Sequence, residues 1–172
     1  MKTKNILYIA VPIAAGLLFF LVIKIATPRY YEGNDYTWHS EIGSKEGDLL
    51  IRGQKLDQIK NDINKLIYAI NGSDKDPELF RTPKDKEPMG PPKLKLIGIK
   101  GQVISIEVIN DEYLTQRMGS TGANEFLATA TFMLTEYDNI KFVNFIFKEG
   151  DHAFPGLYSR EDFLRNWKAI ER

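Results

Sequence analysis

The sequence predicts an α+β domain: a small antiparallel or mixed sheet of three to four strands with two helices packed on one face, preceded by one transmembrane helix. Three observations carry this expectation. Ile6–Ile23 (ILYIAVPIAAGLLFFLVI) contains no charged residue. Two later stretches place apolar residues at steps of three and four, the spacing of a one-faced helix. Between them, Leu94–Ile109 (LKLIGIKGQVISIEVI) alternates around a glycine, as a hairpin does.

Composition narrows the chemistry. The 172 residues include 43% hydrophobic and 27% charged side chains, enough for a packed core. The chain has no Cys, which excludes a disulfide framework, a thiol nucleophile and a Cys-zinc or iron–sulfur site. The first 27 residues hold three Lys and no acid, so the remainder carries 20 basic and 23 acidic residues. A slightly acidic body does not suit nucleic acid as a partner, because phosphate neutralisation needs clustered surplus Lys and Arg.

The apolar run, as a helix, is about 27 Å long, close to the roughly 30 Å hydrocarbon core. Lys24 is placed to snorkel to the interface, and Tyr8, Tyr30 and Tyr31 flank the span where amphipathic rings settle. A cleaved signal peptide needs small residues before the cut, and Lys24-Ile25-Ala26 puts Lys in that place. Residues 1–27 therefore read as an uncleaved signal-anchor, with residues 6–25 in the membrane. Lys2 and Lys4 against Lys24 and Arg29 give a small bias toward an inside amino terminus.

Residues 28–46 read as a stalk, with Pro28 stopping the helix and an edge strand near Tyr36–His39. The folded domain is expected over 47–150. Leu49-Leu50-Ile51 forms a brief strand between Gly47 and Gly53. From Gln54, the residues Leu56, Ile59, Ile63, Leu66, Ile67 and Ile70 make one helical face, ended by Asn71-Gly72. Residues 72–93 hold five prolines and many charges, a long surface loop. In the hairpin, a Lys100-Gly101 turn sets Ile97 opposite Ile104 and gathers Ile97, Ile99, Ile104, Ile106 and Val108 on one face. Leu94, Leu96, Ser105 and Glu107 take the other.

Ser120 or Thr121 caps a second helix over Ala123–Tyr137, with Phe126, Leu127, Ala130, Met133, Leu134 and Tyr137 as its buried stripe. Asp138-Asn139 breaks it, and Lys141–Lys148 is a strand with Val143, Phe145 and Phe147 on one face. Residues 151–172 form a loop and a terminal helix, entered through a Ser159/Asp162 capping box and bearing Phe163, Trp167 and Ile170.

No catalytic, cofactor-binding or metal-binding residue is assigned. His39 and His152 are the only histidines and neither has a paired-ligand spacing. Asp151-His152 supplies half of an acid–base pair, but there is no Gly-x-Ser-x-Gly elbow. Gly119-Ser120-Thr121-Gly122 resembles an anion cradle, yet Ala123 and Asn124 stand where a Walker loop has Lys and Ser or Thr. Phe132 falls outside the buried stripe; it marks either a partner contact or a position covered by Phe154, Tyr158, Phe163 or Trp167.

Leu94–Ile109, Gly119-Ser120 and the run from Glu125 through Phe147 (EFLATATFMLTEYDNIKFVNFIF) together resemble the GerMN domain, the sporulation and spore-germination family. Met133-Leu134-Thr135-Glu136-Tyr137 stands where that family has a Thr-Leu-Thr-Glu-Phe-like phrase, and Lys141–Phe145 where it has a strand resembling Val-Lys-Lys-Val. The resemblance covers about residues 48–150, and the chain lacks the family's usual lipoprotein Cys. It implies a fold similar to ring-building motifs and a non-enzymatic, membrane-attached domain outside the cytoplasm, in the periplasm or at the cell surface. Envelope or membrane proteins, including further copies of the chain, are the partners expected. The alternatives are a glycan- or peptide-binding domain using Tyr36 and Trp38 or the Phe154–Tyr158 loop, and an envelope hydrolase built on His152 with Asp151 or Glu149.

Overall fold

The computed structural model describes residues 33–45, 47–72 and 90–171. The chain divides between Tyr30 and Tyr31 into two units, and the described residues belong to the second. The expected anchor and most of the Pro-rich loop lie outside them. No helix among the described residues is long and apolar enough to cross a membrane.

The α+β class is as expected, but the strands form two sheets. In the first, β1 (Trp38–Ser44) pairs antiparallel with β2 (Gly47–Arg52). This strand lies within the segment read as a stalk. Trp38, Ser40 and Leu50 share one face of the pair, and Trp38 and Leu50 are buried there. The chain leaves β2 through Gly53, where any side chain is impossible: a Cβ would stand 2.3 Å from the Asn34 carbonyl oxygen. This close approach lets the Gly53 N–H donate to the Thr37 carbonyl at 3.0 Å.

The apolar steps from Leu56 to Ile70 split into two pieces. A 3-10 turn at Leu56–Gln58 precedes α1 (Ile63–Asn71). Asp62 starts α1, its Oδ1 accepting from the N–H groups of Asn64 (3.1 Å) and Lys65 (3.3 Å). Asp62→Ala is expected to cost about 1 kcal/mol of unfolding free energy, measurable by urea denaturation, because two helix-end donors lose their acceptor. Asn71 closes the helix and grips the next strand: its side chain accepts from Leu94 N–H (2.7 Å) and donates to Leu94 C=O (3.0 Å).

The second sheet has the order β3 (Lys93–Lys100), β4 (Val103–Ile109), β5 (Phe142–Ile146) and β6 (Gly156–Tyr158). β3 and β4 are antiparallel, β4 and β5 parallel, β5 and β6 antiparallel. The hairpin forms where expected, in a different register. Lys100 pairs with Val103, so the turn residues are Gly101 and Gln102. Gly101 has φ +60, at the first central position, which favours glycine in a II′ turn; a Lys100-Gly101 turn would not put glycine there. An irregularity between Leu96 and Gly98 then lets Leu94 oppose Val108 and Leu96 oppose Ile106. Leu94, Ile104, Ile106 and Val108 are buried, while Ile97 and Ile99 are exposed.

A π-helical turn at Tyr113–Arg117 leads into α2 (Gly119–Leu134), which begins before the expected Ala123 and uses no side-chain cap. Both helices belong to the core shared with the second sheet, as expected, and α2 also contacts β1. Its C-terminal half is buried on opposite sides: Ala130, Met133 and Leu134 on the stripe, Phe132 away from it. A helix apolar all round is a helix covered all round. Phe132 is thus a core residue, meeting Trp38 edge-to-face at 4.9 Å, with the Arg160 guanidinium over its ring.

The terminal helix is only one turn, α3 (Arg160–Phe163), entered through the expected capping box, with Ser159 N–H donating to Asp162 at 2.7 Å. The chain then forms β7 (Lys168–Ile170), parallel to β2, which completes the first sheet.

Candidate functional site

Four places bring chemically distinctive side chains together. The most buried is centred on Glu136, just beyond the end of α2. Its carboxylate accepts from Trp38 Nε1 (3.0 Å), from Arg52 Nε (3.2 Å) and Nη2 (2.8 Å), and from Arg160 Nη2 (2.8 Å). Arg160 also donates to Thr135 Oγ1 (2.7 Å) and to the Phe132 carbonyl (3.0 Å), and its guanidinium lies over the Trp38 and Phe132 rings. Burial pushes Glu136 upward, but the hydrogen bonds from Arg52, Trp38 and Arg160 together outweigh it and leave its carboxyl below the ordinary range. Bonds to Glu136 and then Asp57 raise the Arg52 guanidinium. The adjoining cleft is lined by Arg52, Lys60 and Arg160 with Asp57, Glu136 and Glu171, a balance of signs that gives no field for an anion or a cation. What the network does is tie β1, β2, α2 and α3 together.

The second place is the start of α2. Ser120 Oγ lies 3.2 Å from His152 Nδ1, so the structure brings together two residues that the sequence flagged separately. A working dyad needs a third group to orient the imidazole. Asp151 is engaged elsewhere: with the Gln116 amide in the orientation that satisfies both, Gln116 Nε2 donates to Asp151 Oδ2 (3.2 Å) and Oε1 accepts from Asp151 N–H (3.3 Å). Ser120 is open to solvent. His39 stands on β1, opposite Ile51. Among the described residues no group of three or more His, Asp or Glu could hold a metal ion.

The third is a cleft of about 430 Å³ between α1, α2 and the turn before β1, walled by Ala69, Ile70, Met118, Gly122 and Phe126. Glu125 lines it, held by a hydrogen bond from Ser40 Oγ. Trp38 contributes to the wall but is 1% exposed, so its ring is not free for stacking on a glycan as the sequence allowed.

The fourth is the outer face of the second sheet. Cross-strand pairing sets Glu107 between Lys95 and Ile146, and Asn144 between Ser105 and Leu157. Lys95 and Glu107 form an ion pair at 2.8 Å. Around it Ile97 (53%), Ile146 (44%) and Leu157 (56%) remain exposed. Phe154, in the loop before β6, is also exposed, and the Tyr158 hydroxyl donates to its carbonyl at 2.7 Å.

Sequence reasoning missed Arg52, Glu125, Glu136 and Arg160 as interacting residues. One signal was available: an apolar Phe132 on an otherwise polar helix face requires a second covering layer, and such a layer must also satisfy the polar groups beside it. The chain matches no protein-family model, no curated protein and no solved structure.

Proposed function

We propose that the chain is a non-enzymatic, GerMN-like domain, anchored by residues 6–25 and held outside the cytoplasm, that docks other envelope proteins through the outer face of its second sheet. The carrying observation is the apolar set Ile97, Ile146 and Leu157 around the Lys95–Glu107 pair, on a sheet whose reverse side is already core. Exposed apolar residues grouped on a rigid face, with a polar pair to set register, suit protein docking. The resemblance of the Glu125–Phe147 run to the GerMN family supports an assembly role over a catalytic one. So does the engagement by Gln116 of Asp151, one of the two carboxylates that the hydrolase reading names.

A photo-crosslinking side chain at Ile146 in intact cells is expected to capture envelope proteins or further copies of the chain. Ile146→Asp and Leu157→Asp are expected to weaken complexes captured from a separate reporter position, Ile97, while changing stability by less than about 0.5 kcal/mol. Recovery of the chain only as an uncrosslinked monomer would refute the proposal. Exposed Phe154 favours a second reading, in which the loop before β6 stacks on wall glycan or peptide. Sedimentation with purified wall polymer, lost in Phe154→Ala, would support that reading instead.

A further inference from the structure

The cleft between α1 and α2 is a separate surface from the outer sheet face, and its chemistry points to a different kind of contact. Its volume, about 430 Å³, is within the size range of small-ligand sites. The helices contribute apolar Ala69, Ile70 and Phe126 and the side-chain-free Gly122 to its walls, and uncharged polar Asn34, Thr37 and Thr129 line the rest. Met118, unbranched and adaptable, forms one border. Among the described residues lining the cleft, Glu125 is the one ionisable group.

That carboxylate is placed rather than free to wander. Ser40 Oγ, from β1, donates to its Oε1. The bond occupies one oxygen and fixes the orientation of the group, while no hydrogen bond to Oε2 comes from the described residues. A single oriented carboxylate, with no other charge in the lining and apolar Ala69, Ile70 and Phe126 nearby, favours a cation on an apolar stem, since charge-assisted hydrogen bonds are the strong ones and the stem buries apolar surface. A neutral apolar ligand would leave the carboxylate charge uncompensated, and an acidic one would be repelled.

We infer that this cleft binds an extended peptide segment of a partner protein carrying a lysine or arginine flanked by apolar residues, with Glu125 receiving the cation. Fluorescence anisotropy with the full-length chain in detergent, using labelled Leu-Arg-Leu and Leu-Glu-Leu peptides, tests it. Saturable binding of Leu-Arg-Leu is expected, at least about tenfold tighter than Leu-Glu-Leu, with Glu125→Gln weakening it by about tenfold or more. The glutamine still accepts from Ser40, so the loss reports charge rather than a broken fold. Gly122→Met is expected to abolish binding by filling the cleft; a Cβ there meets Met118 at 3.4 Å, so the helix accepts a side chain. Equal binding of both peptides, unchanged affinity in Glu125→Gln, or no saturable binding of either peptide would overturn the inference. Each result is independent of crosslinking at Ile146.

Discussion

Glu136→Ala is expected to lower the unfolding free energy by about 3–5 kcal/mol, because it leaves two guanidinium groups facing each other without their shared acid. Domains of this size are commonly stable by about 5–15 kcal/mol, so the variant should sit near the edge of folding. The partners are well enclosed: the side chains of Arg52 and Glu136 are 13% and 10% exposed. Urea denaturation of wild type and variant checks the size of the loss, and a change below about 1 kcal/mol would refute the buried network.

The same carboxylate sets an acid dependence. Its folded pKa lies below the unfolded value, so its stabilisation is fully present above the ordinary glutamate range and is lost as pH falls through the folded value. Asp57, held at about 2 by hydrogen bonds from Arg52 and Lys60, titrates in the same direction at the surface. Wild type should therefore lose stability progressively below about pH 4.5, and Glu136→Gln should show a shallower acid slope. Identical slopes would mean that Glu136 contributes nothing to acid unfolding.

Trp38→Ala is the other large loss, also about 3–5 kcal/mol. The indole is almost fully buried, meets Phe132 at 4.9 Å and donates to Glu136 through Nε1. Trp38→Phe keeps an aromatic edge against Phe132 but removes that donor, so a smaller cost, about 1.5–3 kcal/mol, is expected. The Trp38 and Glu136 changes should be non-additive, because they delete members of one network. Wild-type stability in Trp38→Ala would return residues 38–44 to the status of a stalk.

The elements with local signals were legible. The helix ends at Asn71-Gly72, the alternation of Val143 and Phe145, and the Ser159–Asp162 box all stand where short-range chemistry puts them. The hairpin was legible as a hairpin but not in register, because Leu94-Lys95-Leu96-Ile97-Gly98-Ile99 offers apolar residues to both faces. Turn geometry at Gly101 decided what patterning left open. β1 was legible only in part, as an edge strand near Tyr36–His39 in a stalk, and β7 was not legible, for a different reason. Trp38-His39-Ser40-Glu41 buries its first residue and sends Ser40 to Glu125, so half of its inward face reads as polar. Lys168–Ile170 is three residues long and gains strand geometry only by lying beside β2. The Glu136 network needs Trp38, Arg52 and Arg160 in one place, and their separations carry no local pattern.

The pairing of β2 with β7 bears on how the chain is made. Leu50 and Ala169, neighbours across that parallel pair, are 119 positions apart. A ribosome adding about 5–20 residues per second needs roughly 6–24 s to deliver the second after the first. Through that interval β2 has an unzipped border, an invitation to pair with a foreign strand. Nascent molecules stalled before Lys168 keep the vulnerability permanently, which makes them natural prey for proteolytic quality control.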